Sequence, residues 1–396
     1  MAGETPRAAG RSLRRLIAIA LVLAIGAFLA WRFVRPLNIF VISPAFERPI
    51  AVGEMPAGLR SQRAEDCGAC HKAVYDEWRS SMHSRAWTDP YFQVDWRFEG
   101  AEQICRNCHT PLEDQQEHRV LGFRDAEKWD PILAPNPRFD QALQHEGVTC
   151  SACHLRDGVI LGPYGDSAAP HLVRRFGPNQ VCIRCHVVGG KRWDTFYRVP
   201  PCGTVAEIES AGVAVPDCVG CHMPALERAL VPGGPVRSAR RHLWRGGHDR
   251  GTVRRALSVS LRKERTAYGA RRYVLTLVNT GTLHHLPTGT PDRHLTVSLR
   301  LIDPGGAVLE AHEHQLRRVV LWRPFIVDLW DTRLPYGVPR SYSIEFPAAD
   351  HRAAAVEAVV RYHLLDEARR RRIGYRNTEP IAYEIFRERR TVDRDR

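Results

Sequence analysis

Cysteine is nearly missing outside one pattern. Ten of the eleven cysteines in the 396-residue chain fall in five copies of Cys-x-x-Cys-His, and only Cys202 stands elsewhere. No scattered set of thiols is left for the disulfide framework that a cysteine-rich exported chain would otherwise suggest. The five copies are unevenly spaced, so they repeat a chemistry rather than a structural unit, and a solenoid is excluded. Neither a basic recognition helix nor a base-stacking module accompanies the net charge of +13, so nucleic acid is not an expected partner. With 26% charged and 44% hydrophobic residues, the chain has the composition of a globular protein rather than a disordered one.

The motif copies are CGACH (Cys67, Cys70, His71), CRNCH (Cys105, Cys108, His109), CSACH (Cys150, Cys153, His154), CIRCH (Cys182, Cys185, His186) and CVGCH (Cys218, Cys221, His222). This is the attachment signal for c-type haem. Two thiols three residues apart reach one porphyrin edge and add to its vinyl groups. The next residue, histidine, falls beneath the ring as proximal iron ligand. Paired Cys-x-x-Cys sites also bind zinc or form thioredoxin-like redox pairs, but neither use needs a histidine after every second cysteine. Histidine is 18 of 396 residues, so five such histidines arise by chance on the order of once in five million. The expected cofactors are five covalently attached haem c groups, whose roughly ten propionates would offset most of the positive charge.

A second protein ligand on each iron separates electron carriers from haems that bind small molecules. Methionine is scarce, with four residues including Met1, and only Met82 and Met223 are candidates. Thirteen histidines lie outside the motifs, so bis-histidine ligation is expected. The candidates are His83, after an amphipathic stretch that follows the first motif; His145, just before the third; His171, between the third and fourth; His242, preferred over His248 in RRHLWRGGHD; and His284, preferred over His285 in TGTLHHLPTGTPDR.

Residues 1–36 carry Arg11, Arg14 and Arg15 followed by an uncharged run from Leu16 to Trp31. As helix this run spans roughly 24 Å, near the 30 Å hydrocarbon core. Trp31 and Arg32 can complete the span at the interface. The segment reads as one N-terminal transmembrane helix with its start in the cytoplasm; a cleaved signal peptide is the competing reading. Either way the rest is exported. Residues 60–230 hold all the motifs between short helical and irregular stretches, with too little apolar pattern for a core unless large cofactors fill it. VPGGPVRSAR, from Val231, reads as a linker. Residues 250–390 read as an all-β, antiparallel sandwich from RALSVSLR, RYVLTLVN, HLTVSLRL, SYSIEF and AVEAVVRYHL, and RERRTVDRDR as a frayed tail.

CGACHKAVYDEWRSSMHSRAW, CRNCHTPLEDQ and HEGVTCSACH resemble segments of the exported multihaem cytochrome c family that includes the cytochrome c-554-type tetrahaem cytochromes of ammonia-oxidising bacteria. The resemblance implies His83 and His145 as distal ligands. CVGCHMP, RRHLWRGGHD and HHLPTGTPDR are similar to larger members with a carboxyl-terminal β-sandwich, which implies His284. The likeness runs from about Cys67 to Arg300; the fifth motif, the β region and the anchor depart from the tetrahaem pattern. The expected function is electron transfer by a periplasmic, inner-membrane-anchored cytochrome, with a redox protein or membrane quinol as partner. Two alternatives stand beside it. One is an oxidoreductase with an open haem acting on a small nitrogen or sulfur oxyanion or hydroxylamine, although no motif carries the lysine of ammonia-forming nitrite reductases. The other is a quinol dehydrogenase.

Overall fold

A computed structural model describes residues 7–34, 47–124, 130–165, 173–175, 179–186, 204–212, 217–266, 269–321 and 327–392. Cys202 and His171 lie outside them. The N-terminal helix, Arg7–Val34, contains a 19-residue apolar stretch, Leu13–Trp31, none of it buried against the chain.

Each motif is carried on a short helical segment: Ala64–Gly68 leads into the first, and Gln103–His109, Cys150–His154, Asn179–His186 and Cys218–His222 contain the others. A helical turn puts residues three apart on one face, which is the arrangement two thiols need to meet one porphyrin edge. Asp217 caps the last of these helices by accepting from the Gly220 amide at 2.7 Å. The motif region holds more strand than its sequence suggests. His118–Phe123 pairs with Pro131–Pro135, and Leu155–Arg156, Val159–Gly162 and Val173–Arg175 form a small sheet. The expected linker is instead the turn and return strand of a hairpin, Ala225–Ala229 with Val236–Arg240. Its Gly233 takes a φ of +72° that side chains resist.

Beside a two-stranded sheet, Arg318–Leu321 with Val327–Asp331, the described C-terminal residues form two larger antiparallel sheets. One runs Val308–Leu316, His294–Ile302, Ala355–His363, Ala382–Thr391; the other Arg340–Pro347, Ala270–Asn279, Leu257–Arg265. Leu295, Val297, Leu299 and Leu301 alternate along one strand and share a buried core with Leu261, Leu275, Leu277 and Ile344 of the other sheet. The tail expected to fray instead completes the strand Ala382–Thr391 as far as Thr391.

The sheets are fastened to the motif region. Leu365, Ile373 and Tyr375 pack on Tyr91 and Val94 of helix Pro90–Phe98. Arg369 donates to Asp95 at 2.7 Å and Glu99 at 2.5 Å while its guanidinium lies over Phe98.

His294 and His363 face each other across two strands, their rings stacked at 4.1 Å. Burial, then His294 and Arg361, lowers His363 to about 4, against the opposing pull of Asp366. The unfolded chain takes up this proton near 6.5, the folded one only near 4. The pair therefore makes stability fall as pH drops through that window and has no effect above it. Urea unfolding of the full chain at several pH values should show a midpoint that declines below about pH 6.5, and His363→Gln should flatten the decline.

Candidate haem-binding site

The motif cysteines and histidines line one continuous cavity of about 3750 Å³. Ordinary ligand pockets are roughly 300–1,000 Å³. Its walls combine the motif helices, the Ala225–Arg240 hairpin and the turn at Thr282–Thr290 from the C-terminal part.

None of the ten motif cysteines is paired in a disulfide. Burial pushes the thiols of Cys105 and Cys153 up to about 12 and that of Cys182 to about 11. Among the described residues no group of three or more His, Cys, Asp or Glu side chains could hold a metal ion directly. The thiols do meet one another. Cys67 lies beside Cys150, Cys108 beside Cys185, and Cys182 beside Cys218. Cys153 lies close enough to Cys182 and Cys185 to feel their charge.

Several histidines are oriented alike. The Nδ1 atoms of His71, His109, His154 and His222 lie 3.0, 2.6, 2.7 and 3.1 Å from the carbonyls of Leu230, Ala86, Leu161 and Arg245. His242 and His284 do the same with Arg240 and His285, at 2.9 and 3.0 Å. A carbonyl only accepts, so Nδ1 carries the proton and the Nε2 lone pair is left for a metal. Burial, with His186, His222 and His242 nearby, lowers His83 to about 3; burial lowers His109 and His242 to about 4. The neutral, ligating form is the one present at neutral pH.

Three motif histidines face a second imidazole. Ring centroids are 6.2 Å apart for His83 and His186, 6.1 Å for His154 and His242, and 6.4 Å for His222 and His284. Two metal–nitrogen bonds of roughly 2 Å plus about 1 Å from each nitrogen to its ring centre give about 6 Å, so each gap suits one iron. Among the described residues no imidazole stands opposite His71 or His109 at this spacing; the ring stacked on His109, at 3.6 Å, is Phe92.

His83, His242 and His284 are thus brought to motif histidines, whereas His145 is not. The buried face of helix Gln141–His145 is Leu143 and Gln144, so His145 turns outward and does not line the cavity. His248 does line it, and burial beside Arg293 and Arg85 lowers it to about 4.

Two carboxylates outside any motif hold the segments that carry His242 and His284. Glu77 accepts the His242 amide at 2.9 Å and is gripped by both Arg228 guanidinium nitrogens, at 3.0 and 3.1 Å. Glu207 accepts the His285 amide at 3.1 Å and the Thr288 hydroxyl at 2.6 Å, while Arg333 binds its other oxygen at 2.7 Å. Arg333 also holds Asp331 at 2.6 Å and the Pro287 carbonyl at 3.2 Å. Burial opposes ionisation of Asp331, yet His285, 3.5 Å away, and the bonds from Arg333 bring it below the ordinary carboxylate range. Arg333 and Glu207 expose only 4% and 7% of their side chains. Replacing Arg333 by Leu strands buried carboxylates and should cost about 3–5 kcal/mol, read from chemical denaturation.

Residues 66–128 match the family model described as cytochrome c554 and c-prime. Among solved structures, the chain is similar to a penta-haem cytochrome c552 from Thermochromatium tepidum, with 21% identity over 83% of this chain and 98% of that one and a TM-score of 0.64. A β-glucuronidase 2 from Bacteroides uniformis aligns over 27% of this chain and 11% of its own at 12% identity, with a TM-score of 0.14. No curated protein matches the chain. The family match thus covers the segment around the first two motifs, and the structural likeness shows a shared fold over most of the chain.

Proposed function

We propose that the chain is an exported pentahaem c-type cytochrome, held at the inner membrane by Arg7–Val34, that relays single electrons from a membrane quinol or periplasmic donor to a redox partner. The observation that carries this reading is the set of three imidazole pairs at iron-spanning distance. Bound haem c supplies one-electron iron chemistry. The chain's residues supply everything else. The ten motif cysteines attach the groups, His71, His109, His154, His186 and His222 are the proximal ligands, and His83, His242 and His284 close the distal side of the fourth, third and fifth sites. A site closed on both faces keeps substrates off the metal, which suits a carrier. All five motifs line one cavity, with the first beside the third, the third beside the fourth, and the fourth beside the second and fifth, which sets the groups side by side for single-electron transfer.

The second reading is an oxidoreductase acting at an open site on a small nitrogen or sulfur oxyanion or hydroxylamine. It is favoured by His109, which meets Phe92 rather than an imidazole. Intact mass together with pyridine haemochromogen absorbance tests the count. Five covalent haems per chain are expected; fewer than five would show that a motif has another use.

A further inference from the structure

Trp244 is a bulky residue in a backbone conformation that suits glycine. Its φ is +41°, in the left-handed region, although Gly246 and Gly247 stand just beyond it. Such strain persists only where surrounding structure enforces it, and an observed outlier invites a functional explanation. The strained backbone delivers the indole between two distal histidines. Its ring meets His83 edge-on at 4.6 Å and 60°, and His242 edge-on at 5.1 Å and 87°. These two histidines serve different sites, because His83 faces His186 and His242 faces His154.

The ring planes of these pairs differ from those of the third. His83 and His186 are turned 53° from each other, and His154 and His242 by 36°. His222 and His284, with no ring contact to Trp244, lie at 12°. In a bis-imidazole iron site the angle between the ring planes decides how π donation is shared between iron d orbitals. Near-parallel rings act on one orbital and give a rhombic low-spin spectrum, whereas twisted rings spread the donation and raise the largest g value. We infer that Trp244 is a positioning residue that holds the planes of His83 and His242 turned away from those of His186 and His154, and so sets the ligand field of two irons together. This inference rests on the reading of His83 and His242 as axial ligands.

The test is low-temperature EPR of the full-length holoprotein with a redox titration of each signal. Trp244→Gly keeps a backbone that glycine accepts and removes only the ring. In this variant two low-spin signals should lose their high-g character and become more rhombic, and their midpoint potentials should move. The signal that His284→Ala abolishes should stay in place, and Trp244→Phe should restore part of the high-g character. Unchanged spectra in Trp244→Gly, or a change at only one iron, would overturn the inference. His83→Ala and His242→Ala provide the separate control. If each yields a high-spin iron, the ligand reading stands whatever Trp244 does; if neither does, that reading has failed first.

Discussion

Replacing Cys182 and Cys185 by serine leaves a chain with one haem fewer and redox sites that no longer equilibrate as one set. The fourth motif is where the thiol contacts converge. Cys182 meets Cys218, Cys185 meets Cys108, and Cys153 lies beside both. Removing it leaves the first and third motifs adjacent through Cys67 and Cys150, and takes away the group that lies beside the second, third and fifth. Haem absorbance should fall by about one-fifth. Pulse radiolysis that delivers less than one electron per chain should show rapid redistribution in the natural protein and loss of that phase in the variant. Retention of the phase would mean that the sites communicate by another route.

His284→Ala should convert one low-spin iron to a high-spin iron that binds carbon monoxide when reduced, again about one-fifth of the total. The argument starts from the turn that carries this residue. Asn279 and Thr282 hold the His284 carbonyl at 2.8 and 2.7 Å, and the Glu207–Arg333 pair holds the His285 amide, the Pro287 carbonyl and the Thr288 hydroxyl. Glu207 comes from helix Thr204–Ser210 of the motif region, whereas Arg333 belongs to the C-terminal part. The pair therefore spans the two, and on the proposed reading the sheets would serve as a lid that delivers a ligand 62 positions beyond His222. An unchanged spectrum in His284→Ala would leave the sheets a docking role only.

The motifs were legible because their chemistry is local: two thiols and a histidine within five residues need no tertiary information. His83 was legible for a similar reason, since it follows the first motif by one helix. Its counterpart was not, because the facing His186 lies in the fourth motif and only the folded chain shows which distant segments meet. Sequence proximity alone drew attention to His145, which sits beside a motif and, in the fold, on the outer face of its helix. Strands such as His294–Ile302 declared themselves by alternation. Val308–Leu316 alternates polar and half-buried residues at a sheet edge, and Ala382–Thr391 is too rich in arginine and glutamate to stand out. The hairpin through Gly233 was hidden by its own turn, since Pro and Gly mark a linker and a tight turn equally. Glu77, Glu207 and Trp244 carry no signature, because each acts only through residues far away in sequence or through a backbone angle.

The central claim is that paired imidazoles close the third, fourth and fifth sites. Carbon monoxide titration of the fully reduced, full-length protein tests it most directly. The account predicts uptake at no more than two irons per chain, those of the first and second motifs, with the remainder staying low-spin. Uptake at three or more would contradict it.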